Sequence, residues 1–376
     1  MTATEATGDP AGEPARAEFM ALVGQRGVGS RPLRALVGLL SGAGAPFDDL
    51  VRSTALPRRA VEAALAALGP DVEEVGGCVR LRAARAAAYA GLSAPVPSTP
   101  GDGAFPPVLV ATVRAAVTGA PRPKADLDHV AATPETVARR ALWLASTFAL
   151  SGRHVLCLGD HDLTSVALAA LDPTIAVTVA DIDEDVLAHV VAQPAGQVGT
   201  IRALFADFRV GLPARLRGSA DLVVTDPPYT PEGVALFARR GLEALADHGN
   251  GRLVVAYGYG DQPGLGLNVQ GALARFKLAY EAVLPDFNRY DGAQAIGSAS
   301  SLYVLRPTAG TRKAVAADRG AATPNVYTHG RQATEAAAEP VTPDQVAVAT
   351  SAATWSGVTG SAAATALRVP AVGRST

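Results

Sequence analysis

The second half of the chain alternates between short apolar runs and segments with helical spacing of apolar residues. The five apolar runs that predict buried strands are His154–Leu158, Ala176–Ala180, Ile201–Ala206, Ala220–Val224 and Gly251–Ala256. The segments that predict helices are Leu163–Leu171, Glu184–Val191, Pro231–Ala246 and Asn268–Leu278. Alternation of strands and helices at these lengths predicts an α/β fold with a mainly parallel, doubly wound sheet.

The sheet is predicted to end in a further strand pair, Tyr280–Leu284 and Ser301–Arg306. This pair resembles the antiparallel addition of the methyltransferase-type Rossmann fold. A helix at Val108–Val117 and a second helix from Thr133 to about Leu150 precede the first strand, with Thr133 as N-cap and a proline at the first helical position. We therefore expect a Rossmann-like catalytic domain with a helical lead-in over residues 108–307.

The first part of the chain predicts a small helical domain over residues 18–90. Its predicted elements are a helix containing Leu33 to Leu40, helices at Phe47–Ser53 and Pro57–Leu68, and a β-hairpin at Val72–Leu81. Three helices and a hairpin in this order are typical of a winged-helix domain. DNA binding through the third helix is one interpretation, and a protein-interaction or dimerisation module is the other. The balanced charges of the unit do not favour a phosphate-binding face.

The remaining segments are poor in large apolar side chains. Residues 1–17 are expected to be disordered, residues 91–107 form a Pro/Ser/Gly-rich linker, and residues 308–332 form a C-terminal extension. Within that extension, Asn325–Gly330 is the only segment predicted to be structured. A disordered tail is expected over residues 333–376.

Composition limits the possible partners. The chain has 33 basic and 35 acidic residues, so its formal charge of −2 makes nucleic acid an unlikely partner. Cys78 and Cys157 lack metal-ligand spacing, which predicts free thiols and no metal site. Neither a secretory signal nor a run long enough to span a membrane is evident, so we expect a cytoplasmic protein without a membrane partner.

The segment Asp226-Pro227-Pro228-Tyr229 directly follows the apolar run of the fourth strand. The two prolines fix φ and lack N–H donors, so the strand must end there. Asp226 is then held at the carboxyl edge of the sheet, where it can accept a hydrogen bond from an amine, while Tyr229 can stack on a flat or cationic group. This tetrapeptide resembles the catalytic motif of S-adenosylmethionine-dependent amino methyltransferases. A strand that simply ends in prolines is the alternative.

The loop after the first strand starts at Gly159 and carries Asp160, His161 and Asp162. It lacks the glycine spacing of dinucleotide sites, and two carboxylates would repel a diphosphate. The loop therefore favours a cationic ligand such as a sulfonium or an amine. Acids that only cap the following helix are the alternative.

Acids also follow the second and third strands. Asp181 is the first candidate to accept hydrogen bonds from the hydroxyls of an adenosine ribose, and Asp183 is the second. Asp207 could accept from the adenine amino group, with Phe208 packed on the ring. A loop acid beside a core phenylalanine explains the last pair equally well.

Taken together, these motifs resemble the branched-chain polyamine synthase family, which makes N4-bis(aminopropyl)spermidine. The segments that carry the resemblance are Asp128–Arg140, Gly159–Ser165, Asp181–Glu184, Asp226–Thr230 and Tyr327–Gly330. The resemblance implies transfer of an aminopropyl group from decarboxylated S-adenosylmethionine to a polyamine or related small amine. It further implies that the acids of the first loop, Asp160 and Asp162, hold and deprotonate the acceptor amine. In our assignment Asp226 is the base, His161 can share that role, Tyr229 stacks at the reacting centre, and Gly159 and Pro227 line the donor site.

Two departures from the family pattern bear on the acceptor. His161 stands where the family loop has an acid, and His129 stands where the family usually has a glutamine. Histidine is less able to bind a polycation but is a competent base near neutral pH. We also consider a homodimer.

Two rival functions remain open. The enzyme could use intact S-adenosylmethionine and transfer a methyl or 3-amino-3-carboxypropyl group to a small amine, in which case Arg140 or Arg122 would bind the donor carboxylate. Alternatively, the chain could be a DNA-binding regulator that combines a winged helix with a ligand-sensing Rossmann domain.

Overall fold

The computed structural model describes residues 13–95, 105–197, 200–293, 297–318 and 325–328. Within these ranges the chain forms a helical N-terminal unit followed by a larger α/β unit. The predicted tail, 333–376, and residues 96–104 of the predicted linker lie outside the described residues. Among the helices in the described ranges, none is long and apolar enough to cross a membrane.

The N-terminal unit contains the three helices and the hairpin that the sequence predicts. Its elements are α1 (Glu13–Arg26), α2 (Arg31–Ser41), α3 (Phe47–Thr54), α4 (Arg58–Leu68), β1 (Val72–Val75), β2 (Cys78–Leu81) and α5 (Ala83–Tyr89). The hairpin turns through Gly76 and Gly77, both at positive φ, and Ala45 adds an antiparallel bridge to Val79. Assignment of this unit as a winged-helix domain stays a prediction.

The prediction that residues 1–17 are disordered is wrong for residues 13–17, because these residues begin α1. Ala15, Phe19 and Val23 recur at every fourth position and are all buried. One face of α1 therefore packs on α4, and burial of that face stabilises a helix that the composition alone did not predict.

The α/β unit follows the predicted alternation. Its elements are α6 (Pro107–Thr118), α7 (Pro134–Thr147), β3 (His154–Leu158), α8 (Thr164–Leu171), β4 (Ala176–Asp181), α9 (Glu184–Ala192), α10 (Pro194–Gln197), β5 (Ile201–Phe205), β6 (Leu222–Thr225), α11 (Pro231–Ala244), β7 (Arg252–Tyr257), α12 (Pro263–Ala274), β8 (Leu278–Arg289), β9 (Ala299–Pro307) and α13 (Thr311–Ala317). The seven strands form one sheet in the order β5-β4-β3-β6-β7-β9-β8. β9 runs antiparallel to both of its neighbours, β7 and β8, and the other six strands of this sheet run in one direction. The predicted fold class, a methyltransferase-type Rossmann sheet, is confirmed.

The strand order reverses between β3 and β6, because β4 and β5 extend the sheet on one side while β6 and β7 extend it on the other. Ligands of open α/β sheets bind at the carboxyl ends of the strands beside such a reversal. Both faces of the sheet are covered: Val155 and Cys157 pack into one apolar core, and Leu156 and Leu158 into the other.

Several element boundaries differ from the sequence prediction by a few residues, and two predictions are corrected. The helix predicted at Asn268–Leu278 is α12, which begins at Pro263 and ends at Ala274. Proline fits the first turn of a helix, and Lys277 at positive φ separates the helix from β8. The expectation that Asn325–Gly330 is the only structured part of the extension is also wrong, because α13 precedes it.

Candidate functional site

The loop after β3 turns sharply at Gly159, whose φ is +68°. Its N–H donates to the carbonyl of Ala180 (2.9 Å), and a Cβ at this position would lie 3.4 Å from the ring of Phe237. Glycine fits this backbone conformation without strain, while the ring leaves little space for a side chain. The turn directs the next residues across the carboxyl edge of the sheet.

Asp160 points towards the start of α8. Its carboxylate accepts hydrogen bonds from the N–H of Ser165 (3.2 Å) and from the Ser165 hydroxyl, and the residue has no exposed surface. Burial raises the pKa of Asp160 to about 7. Capping of the helix is thus one role of this acid, and its predicted role in binding an amine stays a prediction.

Asp162 lies against a fully buried arginine, Arg140 of α7. The five N–H donors of a guanidinium all have partners here. Nε and Nη2 donate to the side-chain oxygen of Asn288 (3.2 and 2.9 Å), Nη1 donates to Asp162 and to the hydroxyl of Thr164 (3.0 Å), and Nη2 also donates to Asp226 (3.3 Å). One cation therefore joins the acid of the first loop to the acid of the proline motif.

Asp226 accepts three hydrogen bonds at the end of β6. Besides Arg140, the hydroxyl of Tyr229 donates to its Oδ1 (2.8 Å) and the hydroxyl of Tyr290 to its Oδ2 (2.7 Å). Its side chain is 15% exposed, and Pro227 beside it is buried. The carboxylate is fixed in orientation yet still reaches the surface of the site.

Tyr229 contacts two other tyrosines, Tyr290 and Tyr257. Its hydroxyl lies 2.9 Å from that of Tyr290, and its ring packs edge-on against Tyr257, with 5.4 Å between centroids. Burial raises the pKa of both Tyr229 and Tyr290, so both hydroxyls remain protonated donors. Stacking of Tyr229 on the reacting centre stays a prediction.

Asp181 ends β4 and joins the first two loops. Its two carboxylate oxygens accept from the N–H groups of Asp160 (3.0 Å) and Asp183 (2.8 Å), and burial raises its pKa. Asp183 accepts from Lys124 Nζ (2.6 Å) and caps α9 through the N–H of Asp185 (2.9 Å). Burial opposes ionisation of Asp183, but the hydrogen bonds from Lys124 and Asp185 and the nearby positive charges together outweigh burial and lower the pKa of Asp183.

The side chains of the two histidines that differ from the family pattern are in contact. The rings of His129 and His161 stack with centroids 4.4 Å apart and planes 13° apart. Burial lowers the pKa of both histidines. Burial and the charge of His129 together lower the pKa of His161 to about 4. Both Nδ1 atoms are buried without a partner, and that of His129 lies 3.7 Å from Asp183 Oδ2. The pair is an uncharged surface beside the acids.

Of the two residues predicted to contact adenine, Asp207 lies in a loop and Phe208 lies in the core. Asp207 is paired with Arg209 (2.8 Å), and this hydrogen-bonded pair lowers the pKa of Asp207. Phe208 is buried edge-on against Phe237, with centroids 4.9 Å apart. These contacts fit the simpler interpretation of a loop acid beside a core phenylalanine. Contacts of Asp207 and Phe208 with adenine stay predictions.

Part of the C-terminal extension packs onto the same edge. Thr328 donates to Asp128 through its N–H (2.7 Å) and its hydroxyl (2.6 Å). The hydroxyl of Thr230 donates to the carbonyls of Asn325 and Val326 (3.0 and 2.9 Å). The predicted segment thus contacts the helix that follows the proline motif, whereas residues 329 and 330 lie outside the described ones.

Sequence reasoning missed three residues that support Asp226. Asn288 and Tyr290 lie at the end of β8 and Ser300 lies on β9, where Ser300 Oγ is 2.8 Å from the Tyr290 hydroxyl and accepts from Asn288 Nδ2 (2.9 Å). Their polarity gave no distinct signal, because the strand pair also contains Glu281, Asp286 and Arg289. In the part of the chain that the structure describes, no cluster of three or more His, Cys, Asp or Glu could hold a metal ion.

A sequence profile of the branched-chain polyamine synthase A C-terminal domain matches residues 109–308, more than half of the chain. The chain belongs to the branched-chain polyamine synthase family.

This branched-chain polyamine synthase family member is similar to two proteins of Methanocaldococcus jannaschii. It is 33% identical over 187 residues to an uncharacterized protein, covering 49% of this chain and 46% of that one. It is 36% identical over 131 residues to an N(4)-bis(aminopropyl)spermidine synthase, covering 34% and 37%. The chain therefore spans less than half the length of these curated relatives.

Among solved structures, the family member is similar to a branched-chain polyamine synthase mutein from Thermus thermophilus, in complex with N4-aminopropylspermidine and 5′-methylthioadenosine. The TM-score is 0.47 at 22% identity, over 78% of this chain and 92% of the other.

Proposed function

We propose that this protein transfers an aminopropyl group from decarboxylated S-adenosylmethionine to an amine nitrogen of a polyamine or related small amine, releasing 5′-methylthioadenosine. The observation that carries the proposal is the carboxylate of Asp226, which Arg140, Tyr229 and Tyr290 fix at the carboxyl edge of the sheet. Membership of the family supports it. A homodimer and a cytoplasmic location stay predictions.

The proposed reaction is a displacement at the carbon next to the sulfonium. The amine lone pair forms the new N–C bond while the C–S bond breaks, and its electron pair leaves on sulfur as a neutral thioether. The nitrogen becomes cationic, and its surplus proton passes to Asp226 and then to solvent. Alignment of the nitrogen by a carboxylate whose orientation is already fixed lowers the entropic cost of reaching the transition state.

The contacts of Arg140 bear on the choice of donor. A donor that keeps its carboxylate requires a cationic partner for it, and all five N–H groups of Arg140 already have partners inside the protein. Arg140 is therefore unsuited to bind a donor carboxylate. This favours the decarboxylated donor.

A second candidate is supported by Arg122. This exposed residue borders a cavity of about 170 Å³ that is also lined by His161, Asp162 and Leu163. A guanidinium beside the first loop could bind the carboxylate of intact S-adenosylmethionine. The protein would then transfer a methyl or 3-amino-3-carboxypropyl group to a small amine.

Calorimetric titration with each donor separates the two candidates. We expect decarboxylated S-adenosylmethionine to bind at least about tenfold more tightly than S-adenosylmethionine, and Arg122→Gln to leave its affinity unchanged. Tighter binding of the intact donor that is lost in Arg122→Gln would favour the second candidate. If neither donor binds, both are wrong.

A further inference from the structure

Three buried side-chain atoms without a hydrogen-bond partner lie together at the start of α2. They are Ser30 Oγ, Arg31 Nε and Arg34 Nε, and Ser30 has no exposed surface. Buried polar atoms in proteins nearly always have partners, so a cluster of unpartnered ones requires an explanation. The other such cluster in the described ranges contains His129, His161 and Asp183, at the candidate functional site.

The cluster lies where a 3-10 turn, Gly27–Ser30, leads into α2, and no side chain caps the N-terminus of α2. Ser30 is the N-cap residue of α2, yet its side chain makes no capping hydrogen bond, and the first turn contains no acid. The free N–H groups and the dipole of a helix start favour an anion. Arg31 and Arg34 add two cations where the dipole disfavours them, so this turn presents donors without an acceptor.

More positive charge borders the cluster from the α/β unit. Burial lowers the pKa of both Arg31 and Arg34. The charge of Arg34 lowers the pKa of Arg31 further. The charge of Arg153 likewise lowers the pKa of Arg34. Arg153 directly precedes β3 and is paired with Asp221 at 3.4 Å. Neither Arg31 nor Arg34 forms an ion pair within the part of the chain that the structure describes.

The cluster lies in the seam between the two units. The N–H of Ala149, ahead of β3, donates to the carbonyl of Val28 (2.9 Å). A Cβ built on Gly29 would lie 3.2 Å from Nη2 of Arg252, the first residue of β7. The seam is thus at the amino ends of the strands, opposite the candidate functional site.

We propose that Ser30, Arg31, Arg34 and Arg153 bind a small phosphate-type oxyanion in this seam. Guanidinium groups match the geometry of a phosphate, and a helix N-terminus with a free hydroxyl supplies further donors. A small anion is favoured over a nucleic-acid duplex because Val28 and Gly29, which precede the cluster, contact the α/β unit. The site is independent of the proposed enzymatic function.

The test is calorimetric titration of the full chain with inorganic phosphate, at constant ionic strength in chloride buffer. We expect saturable binding that becomes at least about tenfold weaker in Arg31→Gln and in Arg34→Gln. The control is Arg59→Gln, which removes an exposed arginine of α4 in the same unit and should leave phosphate affinity unchanged.

Thermal unfolding without phosphate tests whether the arginines have only a structural role. Removal of an unpaired, partly buried charge should leave Tm unchanged or raise it, whereas a large fall in Tm of Arg34→Gln would overturn the proposal. Absence of phosphate binding, or equal affinity in Arg34→Gln, would also overturn it. A short DNA duplex could instead bind more tightly than phosphate, in a way that depends on Arg31 and Arg34. That result would overturn the small-anion proposal and identify the ligand as a nucleic acid.

Discussion

Arg140 Nη2 lies 3.3 Å from Asp226 Oδ2, and the other terminal nitrogen of the same guanidinium bonds Asp162. The acids of two separate loops are thus held by one fully buried cation. Burial lowers the pKa of Arg140, but Asp226, Tyr290 and Tyr229 together outweigh this effect and raise the pKa, so the guanidinium stays charged. The arrangement fixes both acids and balances part of their charge.

Replacement of Arg140 by glutamine should destabilise the protein strongly. The change leaves Asp162 and Asp226 without their shared cation, and loss of one partner of a buried ion pair costs about 3 to 5 kcal/mol. Denaturant unfolding measures the loss. Arg139→Gln is the control, because Arg139 is only partly buried and donates to the carbonyl of Phe287. Equal stability of the two variants would contradict a central role for Arg140.

Asp226→Asn should abolish turnover and leave the fold and donor binding largely intact. The amide keeps the shape of the carboxylate but cannot take the proton of the attacking amine, so we expect a loss of about 100-fold or more in kcat. Release of 5′-methylthioadenosine measures turnover, and calorimetry measures donor binding. Asp261→Asn, on an exposed loop, is the control. Normal turnover of Asp226→Asn would remove this residue from the mechanism.

Asp160 should make the free energy of unfolding depend on pH. Its pKa is about 7 in the folded protein against an ordinary value of 3.8. Between these values the folded protein holds a proton that the unfolded chain has released, so this group lowers stability as pH rises through that window. Asp160→Asn should therefore gain stability relative to the wild type from about pH 4 to about pH 7.

The control for this pH dependence is Asp172→Asn. Burial raises the pKa of Asp172, but hydrogen bonds from Ser151 and Thr174 outweigh it and lower the pKa. Stabilisation by Asp172 is present above its unfolded pKa and lost as pH falls through its folded pKa, the opposite trend. Denaturant unfolding at several pH values gives both curves. A constant difference between Asp160→Asn and the wild type would disprove the assignment.

His161 should remain uncharged at all pH values used in an ordinary assay. Its pKa of about 4 means that an acid limb near pH 6 to 7 cannot come from this residue. NMR titration of its ring protons measures the pKa, which should rise in His129→Gln because the charge of His129 is one of the causes that lower it. An ordinary histidine pKa for His161 in the wild type would refute the prediction.

Gly233→Ala should loosen the C-terminal segment from the site. A Cβ at Gly233 would lie 2.6 Å from the carbonyl oxygen of Val326 and 2.7 Å from that of Pro228, too close for either to stay in place. Limited proteolysis should cut the variant faster near residues 325–328.

The matched control is Gly271→Ala, on a surface of α12 where a Cβ meets nothing within 4 Å. Alanine there should stabilise the helix by about 0.5 to 1 kcal/mol. Similar cleavage of Gly233→Ala and the wild type would show that the segment does not depend on this contact.

The sequence predicted the sheet well because buried parallel strands are continuous apolar runs bounded by loops. It also located the acids, since residues that follow such strands must lie at one edge. The orientation of their side chains could not be predicted: Asp160 points at Ser165, and Asp181 accepts backbone N–H groups of the loops. Such orientations depend on backbone turns such as those at Gly159 and Leu163, both at positive φ.

The partners of Asp226 were also beyond sequence reasoning. Arg140 was a candidate to bind a donor carboxylate, yet it is a buried cation of the protein itself. Tyr290, which donates to Asp226, follows the register shift of β8 between Leu284 and Asn288, and an irregular strand has no periodic signal. The contribution of the antiparallel strand pair to the site therefore required the three-dimensional structure.

The hydrogen bonds from Thr328 to Asp128 join residues 200 positions apart in the chain. During synthesis on the ribosome, the loop acids and the proline motif emerge well before Thr328. The sheet can therefore begin to pair while the edge that carries Asp226 is still open. The contact can form only after Thr328 has emerged, so a chain terminated before residue 328 would contain the acids but lack this contact.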